Sequence, residues 1–152
     1  MECALAIRRK LAALNLVCFV RTTGGKGIHV VAPILPTLDW EVVKPLTKGI
    51  AQALVREAPT KYTATISKVK RRGKIFVDYL RNGRGATAIA SWSVRARPGA
   101  AVAVPISWDE LPELTGGDHF SVAAATARLA MPDPWAVFAA LRQEFKANPV
   151  AP

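Results

Sequence analysis

Two rhythms of apolar and polar positions run through this chain. In residues 2–14, Ala4, Leu5, Ile7, Leu11 and Leu14 recur at helical spacing while Arg8, Arg9 and Lys10 fill the other side, which predicts an amphipathic helix. Residues 16–22 and 27–34 change to short β-rich runs joined by Gly24, Gly25 and Lys26, which predicts a hairpin with a glycine-rich tip. Asp39 suits the N-cap of a helix reaching Ala58, along which Trp40, Val43, Leu46, Ile50, Ala53, Leu54 and Glu57 trace the period. That face places Trp40 inward. Pro45 conflicts with it: the ring removes an amide donor and predicts either a kink or a start displaced to about Lys44.

Further along, residues 62–66 read as a short strand, 68–73 as a basic loop and 74–80 as a strand ending near Asp78. Residues 86–93 and 100–106 read as extended and 108–111 as one helical turn. A final helix is predicted over 134–146, with Asp133 as its cap and Pro134 in its first turn. The order α-β-β-α-β matches a ferredoxin-like or RNA-recognition-type unit without its first strand. The expected class is therefore α+β, an incomplete antiparallel sheet of that type with packed helices and a strand-rich, helical C-terminal extension. A central strand missing from a sheet leaves backbone groups unpaired on its neighbours, which predicts a rearranged sheet or a homodimer through exposed edges. No repeat or linker interrupts residues 1–146, expected to be a single domain, and residues 147–152 are expected to be a flexible tail.

Composition allows a core without identifying its use. The 152 residues are 51% apolar and 21% charged, as in globular chains. A net charge of +10 favours polyanionic partners, nucleic acid first, although a basic solubility surface accounts for it equally well. The basic residues do not line one face of a membrane-surface helix and no run reaches spanning length, so no membrane partner is expected. Cys3 and Cys18 lack metal-ligand spacing and are expected to be reduced and structural. Apolar residues precede Arg8, Arg9 and Lys10, the reverse of a secretory signal, and a cytoplasmic location is expected.

Candidate chemistry gathers at two places. Gly24, Gly25, Lys26 and Gly27 offer backbone amides with freedom of approach plus a point charge, which suits a phosphate and equally suits an ordinary hairpin tip. It is not a Walker loop, because a strand follows where a helix is required. Strand alternation puts His29 on the face opposite Ile28 and Val30, near the Thr23 hydroxyl, where it is either a ligand or a hydrogen-bonded structural residue. The second place is Asp78, a carboxylate in an apolar run that needs a partner, with Arg81 and Arg84 just beyond it. Lys68, Lys70, Arg71 and Arg72 form a basic run that reads equally as a solvated loop or as a salt-sensitive contact to a DNA backbone. The four tryptophans, at 40, 92, 108 and 135, read mainly as core.

Residues 22–31, Thr-Thr-Gly-Gly-Lys-Gly-Ile-His-Val-Val, together with 75–87 and 93–99, resemble the polymerase domain of the bacterial end-joining DNA ligase D, within the archaeo-eukaryotic primase-polymerase superfamily. The resemblance runs from about Leu11 to Trp135. It implies that Thr23, in a position usually serine, and Lys26, His29, Arg81 and Arg95 hold the triphosphate of a nucleoside triphosphate. It also implies that Asp78, counted with His29 as catalytic, is the third acidic ligand of a two-metal site. The implied reaction transfers a nucleoside monophosphate to a DNA 3′ end at a double-strand break. Implied partners are DNA with 5′-phosphate ends, nucleoside triphosphates, a ligase and a Ku-like protein.

One departure qualifies all of this. The family carries an Asp-x-Asp pair upstream, whereas only 22 residues precede Thr23 here and the pair is absent. The chain is accordingly expected to be the C-terminal half of such a domain, to bind Mn²⁺ or Mg²⁺ weakly or not at all, and to be inactive alone. The alternatives are a non-catalytic nucleotide- or nucleic-acid-binding module and a fragment meaningful only beside a missing segment.

Overall fold

The computed structural model describes residues 1–145. In chain order the elements are α1 (Glu2–Ala13), β1 (Phe19–Thr22), β2 (Ile28–Val31), α2 (Trp40–Glu57), β3 (Tyr62–Thr63), β4 (Ile75–Phe76), β5 (Pro105–Ile106), a 3-10 turn (Leu111–Glu113) and α3 (Val122–Arg128). The class is mixed helix and sheet, and the larger sheet is antiparallel. The described chain packs as two compact units: Met1–Pro33 with Ile89–Gln143, and Ile34–Ala88 with Glu144 and Phe145.

In the first unit, α1 stops because Asn15 takes φ +58°, a left-handed conformation that asparagine tolerates. The Asn15 amide then donates to the Ala12 carbonyl and the Leu16 amide to that of Leu11, closing the helix end. The chain turns into β1, which lies between β2 and β5. Val20 faces Val30 and Thr22 faces Ile28 across the β1–β2 pair, so these four share a side, and Arg21 opposite His29 falls on the other. The core joins Ala4, Val20, Val102, Val104, Ile106, Leu111, Phe120 and Ala125, with Ile28 and Val30 packed against it.

Thr22 is fully buried and takes part in the sheet through its side chain. Its hydroxyl donates to the Val102 carbonyl (3.2 Å) and accepts from the Val104 amide (2.9 Å), while its own amide donates to the Val104 carbonyl. Residues 92–103 fold back beside it. The Trp92 amide donates to the Ala103 carbonyl, that of Ala103 to Ser93, and that of Arg95 to Ala101, with Val94 bridging Val102. Residues 92–95 and 101–103 therefore form a narrow hairpin whose second arm, from the expected run 100–106, leads into β5, whereas 86–91 of the other expected run form no strand.

The second unit pairs α2 with β3 and β4, which run parallel with Tyr62 opposite Ile75 and Thr63 opposite Phe76. Four details depart from the sequence pattern. First, α2 begins at Trp40 despite Pro45 inside it. Second, Trp40 is 49% exposed, because the face that packs is that of Val43, Ala51 and Leu54. Third, β4 ends at Phe76, so Asp78 lies beyond the strand that was expected to carry it. Fourth, residues 134–140 form hydrogen-bonded turns where a helix was predicted, whereas α3 was unforeseen. The turns have a local cause: the Asp133 carboxylate accepts from the Trp135 amide (2.8 Å), while Trp135 stacks on Phe138 and its indole donates to the Val20 carbonyl (3.1 Å). The predicted tail, 147–152, lies outside the described residues.

Candidate anion-binding site

The glycine turn after β1 is shaped by two close approaches. Gly24 has φ +64°, and a β-carbon there would come within 2.5 Å of the Ala101 carbonyl oxygen, so no other residue fits without displacing backbone. On the other side Gly117 packs directly onto the turn. A β-carbon on Gly117 would lie 2.1 Å from the Gly27 carbonyl oxygen and 2.5 Å from that of Gly25. The Gly117 carbonyl also accepts from the Thr23 amide (3.1 Å), and the Thr23 hydroxyl donates to the Gly27 carbonyl (2.8 Å). The turn is thus held in one shape from within and from both sides.

Charge converges on this turn from the 92–103 hairpin. A β-carbon placed on Gly25 would sit 3.7 Å from Arg95 Nε, 3.7 Å from Thr23 Oγ1 and 3.8 Å from Arg97 Nη1. Lys26 at the tip is exposed. Two guanidinium groups therefore approach a buried glycine, with Lys26 next to it in the chain, and these donors suit an oxyanion. Arg97 was not selected from the sequence, although it lies two residues from Arg95. The backbone bends between them, with the Arg97 amide donating to the Arg95 carbonyl (2.8 Å).

His29 lies on the face opposite Ile28 and Val30, as alternation predicts. Its Nδ1 is 3.3 Å from Arg21 Nη2. The rest of the Arg21 side chain is anchored locally: Nη1 donates to Ser91 Oγ (3.0 Å) and Nη2 donates to the Ile89 carbonyl. Nothing in the sequence had marked Arg21, Ser91 or Gly117, because the contacts that give them a role join segments far apart along the chain.

Asp78 and Arg81 belong to the second unit. Asp78 is exposed, with Oδ1 accepting from the Leu80 amide (3.0 Å) and Oδ2 3.7 Å from Arg81 Nε. Arg81 also donates to the Thr87 carbonyl (3.0 Å). At this exposure the pair contributes little to stability. No group of three or more histidine, cysteine or acidic side chains that could hold a metal occurs among the described residues. The residues present therefore do not fit a two-metal centre, for which Asp78 offers one carboxylate. The basic run is a turn closed by the Arg71 amide donating to the Ser67 carbonyl and the Lys74 amide to that of Arg71. Lys68, Lys70 and Arg72 are exposed, and Arg71 lies 4.8 Å over the Phe76 ring.

Residues 1–135 match the family described as LigD, primase-polymerase domain. The chain belongs to the LigD primase-polymerase family. It is 42% identical over 140 residues to the multifunctional non-homologous end joining protein LigD of Pseudomonas aeruginosa, covering 90% of this chain and 17% of that protein. It is 38% identical over 112 residues to the Mycobacterium tuberculosis (strain H37Rv) LigD, over 74% of this chain and 15% of the relative. The polymerase domain of M. tuberculosis ligase D, solved in complex with DNA, superposes with a TM-score of 0.79 at 35% identity, covering 88% of this chain and 47% of that one. This LigD-family chain thus spans under a fifth of those curated relatives and about half of that solved domain. No described helix is long and apolar enough to cross a membrane.

Proposed function

We propose that this chain is a nucleotide-binding part of a primase-polymerase-type nucleotidyltransferase, acting in end-joining repair of DNA double-strand breaks. The observation that carries this reading is the convergence of Arg95 and Arg97 on the buried Gly25, in a turn fixed by Gly24 and Gly117. Backbone amides and guanidinium forks that need no rearrangement bind phosphate oxygens well, because their ordering cost has been met in folding. Thr23, Lys26, His29 and Arg95 are assigned to the triphosphate, and Arg81 to the same task by resemblance. Asp78 is assigned as a single metal-directed carboxylate, so Mn²⁺ or Mg²⁺ binds weakly in this chain alone and nucleotidyl transfer by it is slight or absent. The α+β fold is read as the RNA-recognition-type sheet without its first strand. DNA with a 5′ phosphate is the expected polyanion, engaged in part by Lys68, Lys70, Arg71 and Arg72. A ligase, a Ku-like protein, a second copy of the chain and a cytoplasmic setting remain expectations of the same reading.

The Thr23 hydroxyl donates within the turn to Gly27, so toward a ligand it offers an accepting lone pair rather than its proton. Phosphate affinity is therefore assigned mainly to Lys26, Arg95 and the turn amides.

Two arms test the proposal. ATP binding should weaken about tenfold or more in Lys26→Ala and Arg95→Ala, a loss of at least about 1.4 kcal/mol each. Absence of any ATP binding by the unaltered chain would remove the nucleotide reading. On a gapped duplex with a 5′ phosphate, Mn²⁺ and each nucleoside triphosphate, the chain should give little or no extension. Extension that disappears in Asp78→Ala would show an assembled metal centre and contradict the assignment of a lone carboxylate.

A further inference from the structure

Arg21 occupies the middle of β1 directly opposite His29. It is half-buried, and burial lowers its pKa from the usual arginine value. Its guanidinium meets the Ser91 hydroxyl, the Ile89 carbonyl and His29 Nδ1, and lies 5.9 Å from the Trp135 ring. None of these partners carries a negative charge. The Nε atom is buried with no hydrogen-bond partner. A desolvated cation held only by neutral groups costs folding energy, so its retention calls for a task that an apolar residue of similar length could not perform.

That task follows from the donor inventory. A guanidinium has only N–H donors, so the imidazole nitrogen facing it must accept. His29 Nδ1 is that nitrogen, and the ring hydrogen therefore lies on Nε2. A phosphate oxygen accepts and does not donate, so the ring in the other tautomer would turn a lone pair toward it from Nε2. We propose that Arg21 is a positioning residue that fixes the His29 ring in its Nε2–H tautomer, so that Nε2 presents a donor to a nucleoside triphosphate. Ser91 and Ile89 hold the arginine fork in the plane this requires. The inference rests on the nucleotide-binding reading above, but the tautomer it names belongs to the ligand-free chain and is measured without nucleotide.

The experiment records long-range ¹H–¹⁵N correlations of the His29 ring in the unaltered chain, in Arg21→Met and in Ser91→Ala. The unaltered chain should show an unprotonated Nδ1 and a protonated Nε2. Arg21→Met should show the two shifts moving toward each other as the tautomers mix, and Ser91→Ala should show the same movement to a smaller extent. Unchanged His29 shifts in a folded Arg21→Met would overturn the proposal. Should that variant fail to fold, Ser91→Ala decides it alone by the same comparison. ATP affinity then separates positioning from direct contact. Arg21→Met should weaken binding about tenfold in the unaltered background and leave it unchanged in His29→Ala. Losses that add in the double variant would place Arg21 on the phosphate itself and overturn the positioning role. If the chain binds no ATP, the nucleotide reading fails while the nitrogen shifts still decide the tautomer.

Discussion

Single residues in this chain are constrained by what lies within a few ångströms of them, and several of those constraints can be measured. Gly117→Ala drives a methyl to 2.1 Å from the Gly27 carbonyl oxygen. The turn must move, and we expect a stability loss of about 1–3 kcal/mol in denaturant melts, with weakened ATP binding. Glu110 packs beside Arg128, with its carboxylate also accepting from the Ser107 amide (2.7 Å). Burial raises its pKa, but the Arg128 and Ser107 hydrogen bonds and the Arg128 charge together outweigh that and lower it below the ordinary carboxylate value. A lowered value means that the ionised form stabilises the fold. The contribution is present above the ordinary carboxylate pKa and disappears as pH falls through the lowered one, so the stability gap between the chain and Glu110→Gln should close in that acid range. Cys18 behaves in the opposite sense. Burial pushes its thiol up to about 11 from 9.0, so its contribution is complete below pH 9 and is lost as pH rises toward 11. Alkaline melts should therefore be shallower in Cys18→Ala. Thr23, Lys26 and His29 could be singled out from the sequence because a glycine turn and strand alternation are local signals, and Arg95 because its motif resembles the family's. Arg21 and Gly117 could not, since their roles arise from contacts between distant segments.

At the level of elements, α2 preserves a conflict between propensity and packing. Pro45 cannot donate to the Glu41 carbonyl one turn earlier, yet the helix runs from Trp40 to Glu57 because Val43, Ala51 and Leu54 bury one face. Pro45→Ala should restore that bond and raise the stability of the helix by about 1–3 kcal/mol, read as a higher melting temperature. The long helices α1 and α2 were legible because eighteen or twelve periodic residues outweigh one misfit. Short strands were less so. The runs at 62–66 and 74–80 contribute two strand residues each, with the ladder closed by the Val77 amide donating to the Thr63 carbonyl (2.9 Å). At 134–140, Asp133 and Pro134 gave a valid helix-start signal. The stacking of Trp135 and Phe138 and the reach of Trp135 to Val20 won over it.

For the whole molecule, the net charge of +10 sets an expectation that no single residue carries. Binding to a gapped duplex should weaken steeply with salt, and joint replacement of Lys68, Lys70 and Arg72 by glutamine should reduce the slope of log K against log salt by about 3 if each neutralises one phosphate. An unchanged slope would assign those side chains to solvent. Family membership was readable from the sequence because the motifs around Thr23, Asp78 and Arg95 are contiguous. The shape of the turn that Gly24 and Gly117 enforce needed the fold.

The central claim is that the turn at residues 24–27 seats a triphosphate, and ATP titration followed by backbone amide ¹H–¹⁵N correlation tests it residue by residue. The account predicts saturable shifts centred on the amides of Gly24, Gly25, Lys26, Gly27 and His29, with smaller shifts at Arg95 and Gly117. Saturable shifts centred elsewhere, or no shifts at millimolar ATP, would contradict it.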